Sequence, residues 1–114
     1  LEKNILININ YDKTMVKHVI LWQLKEEFSA EQKTEIKLNI KKGLEGLKGI
    51  VPGLIDIQVN INGLESSNAD VMLDSTFTDF NALKNYAVHP EHVKVADRDV
   101  RPFTAHRSCL DYEI

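Results

Sequence analysis

Val16-Lys17-His18-Val19-Ile20-Leu21-Trp22-Gln23-Leu24-Lys25 is the stretch on which the fold turns. Read with the two-residue period of a strand, Val16, His18, Ile20, Trp22 and Leu24 share one face, while Val19 and Leu21 lie on the other. A strand that is apolar on both faces needs cover on both. His18 is the one ionisable group among the apolar residues of its face. Such a histidine is either a satisfied core residue or a group that faces a cleft.

Before this strand, Leu1 to Thr14 reads as a vector remnant or an upstream extension, because Met15 fits a natural start, and Ile5–Ile9 has strand-like content. Residues 15–114 then form the domain. After the strand, Ser29 and Gln32 stand in capping-box positions and open a helix through about Leu47. Ile36, Ile40, Leu44 and Leu47 give it one buried stripe, and Gly46, Gly49, Pro52 and Gly53 end it. Leu54 to Asn62 alternates, with Ile55, Ile57, Val59 and Ile61 on the inward face. Ala69 to Phe77 is a third strand, in which Asp74 calls for a basic partner or water. Asp79 caps a short helix bearing Phe80, Leu83 and Tyr86. Pro90 to about Arg101 forms another, with Val93, Ala96 and Val100 inward and Pro102 at its end. Ala105 to Tyr112 is a fourth strand.

The order strand, long helix, strand, strand, broken helix, strand predicts an α+β, ferredoxin-like fold: a four-stranded antiparallel sheet with its helices on one face. The uncovered face then needs a lid, and a second copy's sheet is the simplest one. A homodimer through sheet-to-sheet packing is therefore expected.

Tyr86-Ala87-Val88-His89-Pro90-Glu91-His92 is the stretch densest in groups that move protons near neutrality. Pro90 interrupts a running helix but suits the first turn of a new one. With His89 opening the second helix, Tyr86 and His92 are placed to face one cleft, and His18 to meet them. The bland alternative is that His89 caps orphan amides and Tyr86 is a core aromatic. A metal reading pairs His89 and His92 with Asp97 or Asp99. However, Pro90 disrupts the continuous helix that a two-histidine metal motif uses, so no metal is expected.

The chain has 114 residues, 43% hydrophobic and 27% charged, with net charge -3. That describes one ordinary globular domain, small enough to benefit from a partner subunit. The charge argues against nucleic-acid and anionic-membrane partners. Cys109 is the single cysteine, which excludes an intramolecular disulfide and suits a reducing, cytoplasmic compartment. No apolar run approaches the roughly 18 residues of a membrane span. Without a glycine-rich fingerprint between strand and helix, no flavin or nicotinamide cofactor is expected, and nothing calls for haem.

Taken together, Val16-Lys17-His18-Val19, Pro52-Gly53, Thr76-Phe77 and the Tyr-x-x-His-Pro-x-His of residues 86–92 resemble the stress-responsive dimeric α/β-barrel (Dabb) family. The resemblance spans roughly residues 15–112 and implies two sheets closing into a barrel. The olivetolic acid cyclase branch of that family is similar at the positions that carry chemistry. It implies a catalytic His92 and Tyr86, with His18 bordering the site. Where that branch has a third-strand histidine, this chain has Val71. Two functions follow as expectations. One is a non-catalytic or small-ligand-binding dimer. The other is a cofactor-free cyclase or lyase on a small apolar carbonyl compound, with His92 as base, Tyr86 as its partner, and His18, His89 and Trp22 against the substrate.

Overall fold

A computed structural model describes residues 14–114. The run Ile5–Ile9, and all of the proposed extension except Thr14, lie outside the described residues. The elements in chain order are β1 (Val16–Leu24), α1 (Ala30–Glu45), β2 (Leu54–Asn60), β3 (Val71–Phe77), α2 (Phe80–Val88), α3 (Pro90–Val95), a π turn (Ala96–Val100) and β4 (Thr104–Glu113). The strands form one antiparallel sheet in the order β2-β3-β1-β4, with the helices on one face. This is the expected ferredoxin-like arrangement.

The alternation in β1 is realised residue by residue. Val16, His18, Ile20, Trp22 and Leu24 are buried beneath the helices. On the opposite face Leu21 is 42% exposed, and Leu110 and Tyr112, across from Val19 and Lys17 on β4, are exposed as well. Lys17, on that same face, pairs with Asp74 at 2.9 Å, giving the β3 acid its basic partner.

Ser29 Oγ accepts from the Gln32 N–H at 3.1 Å, and Gln32 Oε1 accepts from the Ser29 N–H at 2.8 Å, so the capping box that starts α1 is closed. Caps and propensity supply only about 1 kcal/mol. The attachment of α1 to the sheet therefore comes from Ile36, Ile40, Leu44 and Leu47, all buried, each contributing about 1.5–3 kcal/mol. Past the helix, Gly53 turns the chain into β2 at φ 82°, a region that residues with a Cβ avoid.

Two expectations about faces are corrected. Ile55 does not point inward with Ile57 and Val59: it is 41% exposed, and Leu54 is buried in its place. The pairing of β2 with β3 shifts register between Leu54 and Asp56, and such a bulge flips the alternation on one side of it. In the last helical segment Val93 is only half-buried, and the inward seam runs through Val95, Ala96, Asp99 and Val100.

The reason lies in α1. At Gly43 an added Cβ would stand 2.6 Å from Asp99 Oδ2 and 2.8 Å from Val95 Cγ1, so the missing side chain is what lets those two residues in. Arg98 forks onto the Asp99 carboxylate at 2.8–3.1 Å and offsets its burial. The π turn that follows is closed by the Arg101 N–H on the Ala96 carbonyl at 2.8 Å.

Gly43→Ala sets two effects against each other. Helix propensity favours alanine by about 1 kcal/mol, whereas overpacking costs about 1–3 kcal/mol. Val95 is a stiff β-branched neighbour, so packing is expected to win, with a net loss of about 1–2 kcal/mol in urea denaturation. A gain in stability would show that α3 does not rest on this glycine.

Candidate functional site

The helix carrying Tyr86 ends at Val88, and the next begins at Pro90. His89 is the hinge between them. Its N–H bonds the Tyr86 carbonyl at 3.1 Å, and its Nδ1 accepts the Glu91 N–H at 3.1 Å. That occupies His89 with capping, and it does not line the cavity described next.

The turn brings the other rings together. Tyr86 and His92 stack with centroids 4.1 Å apart and planes inclined at 34°. His18 meets Tyr86 edge-on at 6.2 Å. These three, with Trp22, line a half-open cavity of about 250 Å³ between β1, β4 and the helices. Ile20, Leu83 and Val100 supply apolar wall, and Arg101 and Arg107 complete it with the only charged side chains in the lining.

Each ring has a distinct electrostatic setting. His92 Nδ1 donates to the Ala87 carbonyl at 3.2 Å, since a carbonyl only accepts, which leaves Nε2 as the lone-pair nitrogen of the neutral ring. Burial, joined by the positive charge of Arg101, lowers the His92 pKa below the ordinary 6.5. The ring is therefore neutral at pH 7, the form in which imidazole acts as a base.

Tyr86 is 1% exposed, and burial raises its phenol above the ordinary 10.0, so it stays a hydrogen-bond donor. Its hydroxyl is buried and meets no hydrogen-bond partner among the described residues. A buried hydroxyl without a partner costs on the order of 1–3 kcal/mol.

His18 is held from two sides. Its carbonyl accepts from Ser75 Oγ at 2.8 Å, and its Nδ1 donates to Asp111 Oδ1 at 2.5 Å. Sequence reasoning missed Asp111. Its only signal was a carboxylate of the right parity on a strand whose register was unknown.

Cys109 lies one same-face step along β4, with Sγ 3.7 Å from His18 Nδ1 and 3.5 Å from Asp111 Oδ1. Nitrogen, sulfur and oxygen donors thus gather at one point. The His18–Asp111 hydrogen bond ties two of the three together, and burial together with Asp111 raises the thiol pKa. Of the residues weighed from the sequence for a metal, Asp97 pairs with Arg101 and Asp99 with Arg98.

A depressed His92 pKa ties stability to pH. Between the ordinary 6.5 and the lower folded value, the unfolded chain binds the extra proton and the folded chain does not. Folding stability is then lost as pH falls through that window. An NMR titration is expected to find the His92 imidazole titrating below 6.5, and His92→Gln to lessen the loss of stability on acidification from pH 7. A His92 that titrates at or above the ordinary value contradicts this.

The model of the stress responsive A/B barrel domain, Dabb, matches residues 16–114. A dimeric protein of unknown function with a ferredoxin-like fold from Bacteroides fragilis is 30% identical and superposes with a TM-score of 0.82, covering 88% of this chain and 96% of that one. A Dabb-family protein with a ferredoxin-like fold from Mesorhizobium loti is 18% identical, with a TM-score of 0.67, over 87% and 95% of the two chains. A hydroxynitrile lyase from Passiflora edulis is likewise 18% identical at a TM-score of 0.67, over 90% and 94%. At that identity the last two speak for the fold alone. Among curated proteins nothing matches.

Proposed function

The chain belongs to the stress responsive A/B barrel domain family, and from that premise we propose that it is a homodimer, sheet packed on sheet, whose protomers each bind a small apolar carbonyl compound in the helix-side cavity. The dimer reading is supported by the apolar residues on the open sheet face and by relatives described as dimeric. Burying Leu21, Leu110 and Tyr112 against a second copy removes from water a surface that a monomer leaves exposed. A single cysteine suits a reducing compartment, and a cytoplasmic location is part of the same proposal. So is the domain boundary at residue 15. Sedimentation at micromolar concentration is expected to give a dimer, and Leu21→Asp to shift it to monomer. A monomeric parent protein overturns the dimer.

One observation carries the ligand: Tyr86 borders the cavity, and its buried hydroxyl is bonded to nothing among the described residues. A ligand oxygen is the partner that would offset its cost. Apolar walls accept the ligand's body, and neither metal nor cofactor is needed for such binding.

A second reading is favoured by His92. A neutral imidazole with Nε2 unbonded among the described residues, stacked on a phenol that stays protonated, is a base beside a donor. In that reading His92 Nε2 takes a proton from the carbon next to a carbonyl. The C–H electron pair moves onto the carbonyl oxygen as an enolate, and Tyr86 donates a hydrogen bond to that oxygen. This is the cofactor-free lyase or cyclase chemistry expected from the resemblance.

Two variants separate the readings. Tyr86→Phe removes a hydroxyl that makes no bond within the described protein, so its stability is expected within about 1 kcal/mol of the parent or above it. Its affinity for octanamide, a neutral carbonyl probe, is expected to fall about fivefold or more in calorimetry. A parent protein that does not bind octanamide overturns the ligand reading. For the catalytic reading, the parent is expected to speed deuterium exchange at the central carbon of ethyl 2-methylacetoacetate, and His92→Gln to lose about 100-fold of that rate. No acceleration by the parent leaves the protein a binder.

A further inference from the structure

The charge lining the cavity is one-sided. Among its wall residues the charged side chains are Arg101 and Arg107, and no aspartate or glutamate borders the space. That asymmetry runs against the chain as a whole, which carries a net charge of -3.

The two arginines are not equivalent. Arg101 is already held by Asp97 one helical turn away. Arg107 sits on β4 opposite Trp22, on the face turned to the cavity. It lies beside the Cys109 thiol, and it pairs with no carboxylate among the described residues. Lysine or arginine at an edge strand is often only a solubilising charge. Here, however, the guanidinium borders a concavity walled by Ile20, Trp22 and Val100.

Position along the strands supplies a length. His18 pairs with Asp111 and Trp22 with Arg107, two same-face steps apart, which is roughly 13 Å of strand. The Tyr86 ring meets His18, and the Arg107 side chain reaches from its place opposite Trp22 toward Cys109, whose Sγ is 3.7 Å from His18 Nδ1.

We propose that the natural ligand is a small monoanion with an apolar body, a carboxylate or an acid of similar geometry. Its negative group is held by Arg107, and its apolar body lies against Ile20, Trp22 and Val100. This rests on the ligand-binding reading above and adds the charge class and the anchoring residue. Arg107 offers a planar fork that matches a carboxylate in two places, and the apolar walls lower the local dielectric and strengthen that pair. Asp111 does not compete for it, being taken up by His18 Nδ1 at 2.5 Å.

The test compares octanoate with octanamide, which differ in charge and hardly in shape, by calorimetry on the intact protein. Octanoate is expected to bind about tenfold or more tightly than octanamide. Arg107→Gln is expected to abolish that preference, and Arg107→Lys to restore part of it. Arg101→Gln should alter it less, since that guanidinium is already paired. Because Arg107 is exposed, its variants are expected to fold, and unchanged circular dichroism and melting temperature check this. Octanamide bound as tightly as octanoate, or a preference that survives Arg107→Gln, overturns the anionic ligand and leaves the cavity reading standing. If neither probe binds, both fall together.

Discussion

The antiparallel ladder between β1 and its two neighbours is the constraint from which the site is built. On one side it places His18 opposite Ser75, whose hydroxyl fixes the His18 carbonyl. On the other it places His18 opposite Asp111 and Trp22 opposite Arg107. A slip of one residue would send every one of these side chains to the wrong face. The alternation of β1, with a large apolar load facing the helices, makes such a slip costly. Hydrophobic burial therefore sets the register, and the register sets the polar geometry of the cavity.

On top of that ladder, Pro90 and its two flanking histidines divide labour by position. His89 spends its Nδ1 on the helix N-terminus. His92, three residues later, is turned back toward Tyr86 and spends Nδ1 on the Ala87 carbonyl. Identical side chains thus become a cap and a neutral base-type imidazole through the hydrogen bonds each one makes. The glycine at position 43 supports this from behind, since it lets Val95 and Asp99 approach α1 and so sets how deeply the helix bearing His92 sits.

A buried hydroxyl with no partner is a local weakness that a purely structural core would remove, for instance with phenylalanine. Tyr86 keeps it at the border of a cavity, beside a histidine whose pKa burial has lowered. Both features lose stability where a ligand would gain contacts. Sites of function are where such local inconsistencies are found. The same contrast applies to Arg107, a charge without a carboxylate partner among the described residues, facing apolar wall.

Periodicity and punctuation alone determined much of this protein. The two-faced alternation of Val16 to Leu24, the stripe from Ile36 to Leu47, and the break at Pro90 specify the element order, the one-sided helix layer and the meeting of Tyr86 with His92. These are local signals, written within one element or across one turn. What only the tertiary structure decided involves residues far apart in the chain: Asp111 closing on His18, Arg107 arriving beside Trp22, the bulge that turns Ile55 outward, and the notch at Gly43. None of these has a signature in its own neighbourhood, because strand register and helix approach are settled by packing between elements, and a sequence does not display them until the chain has folded.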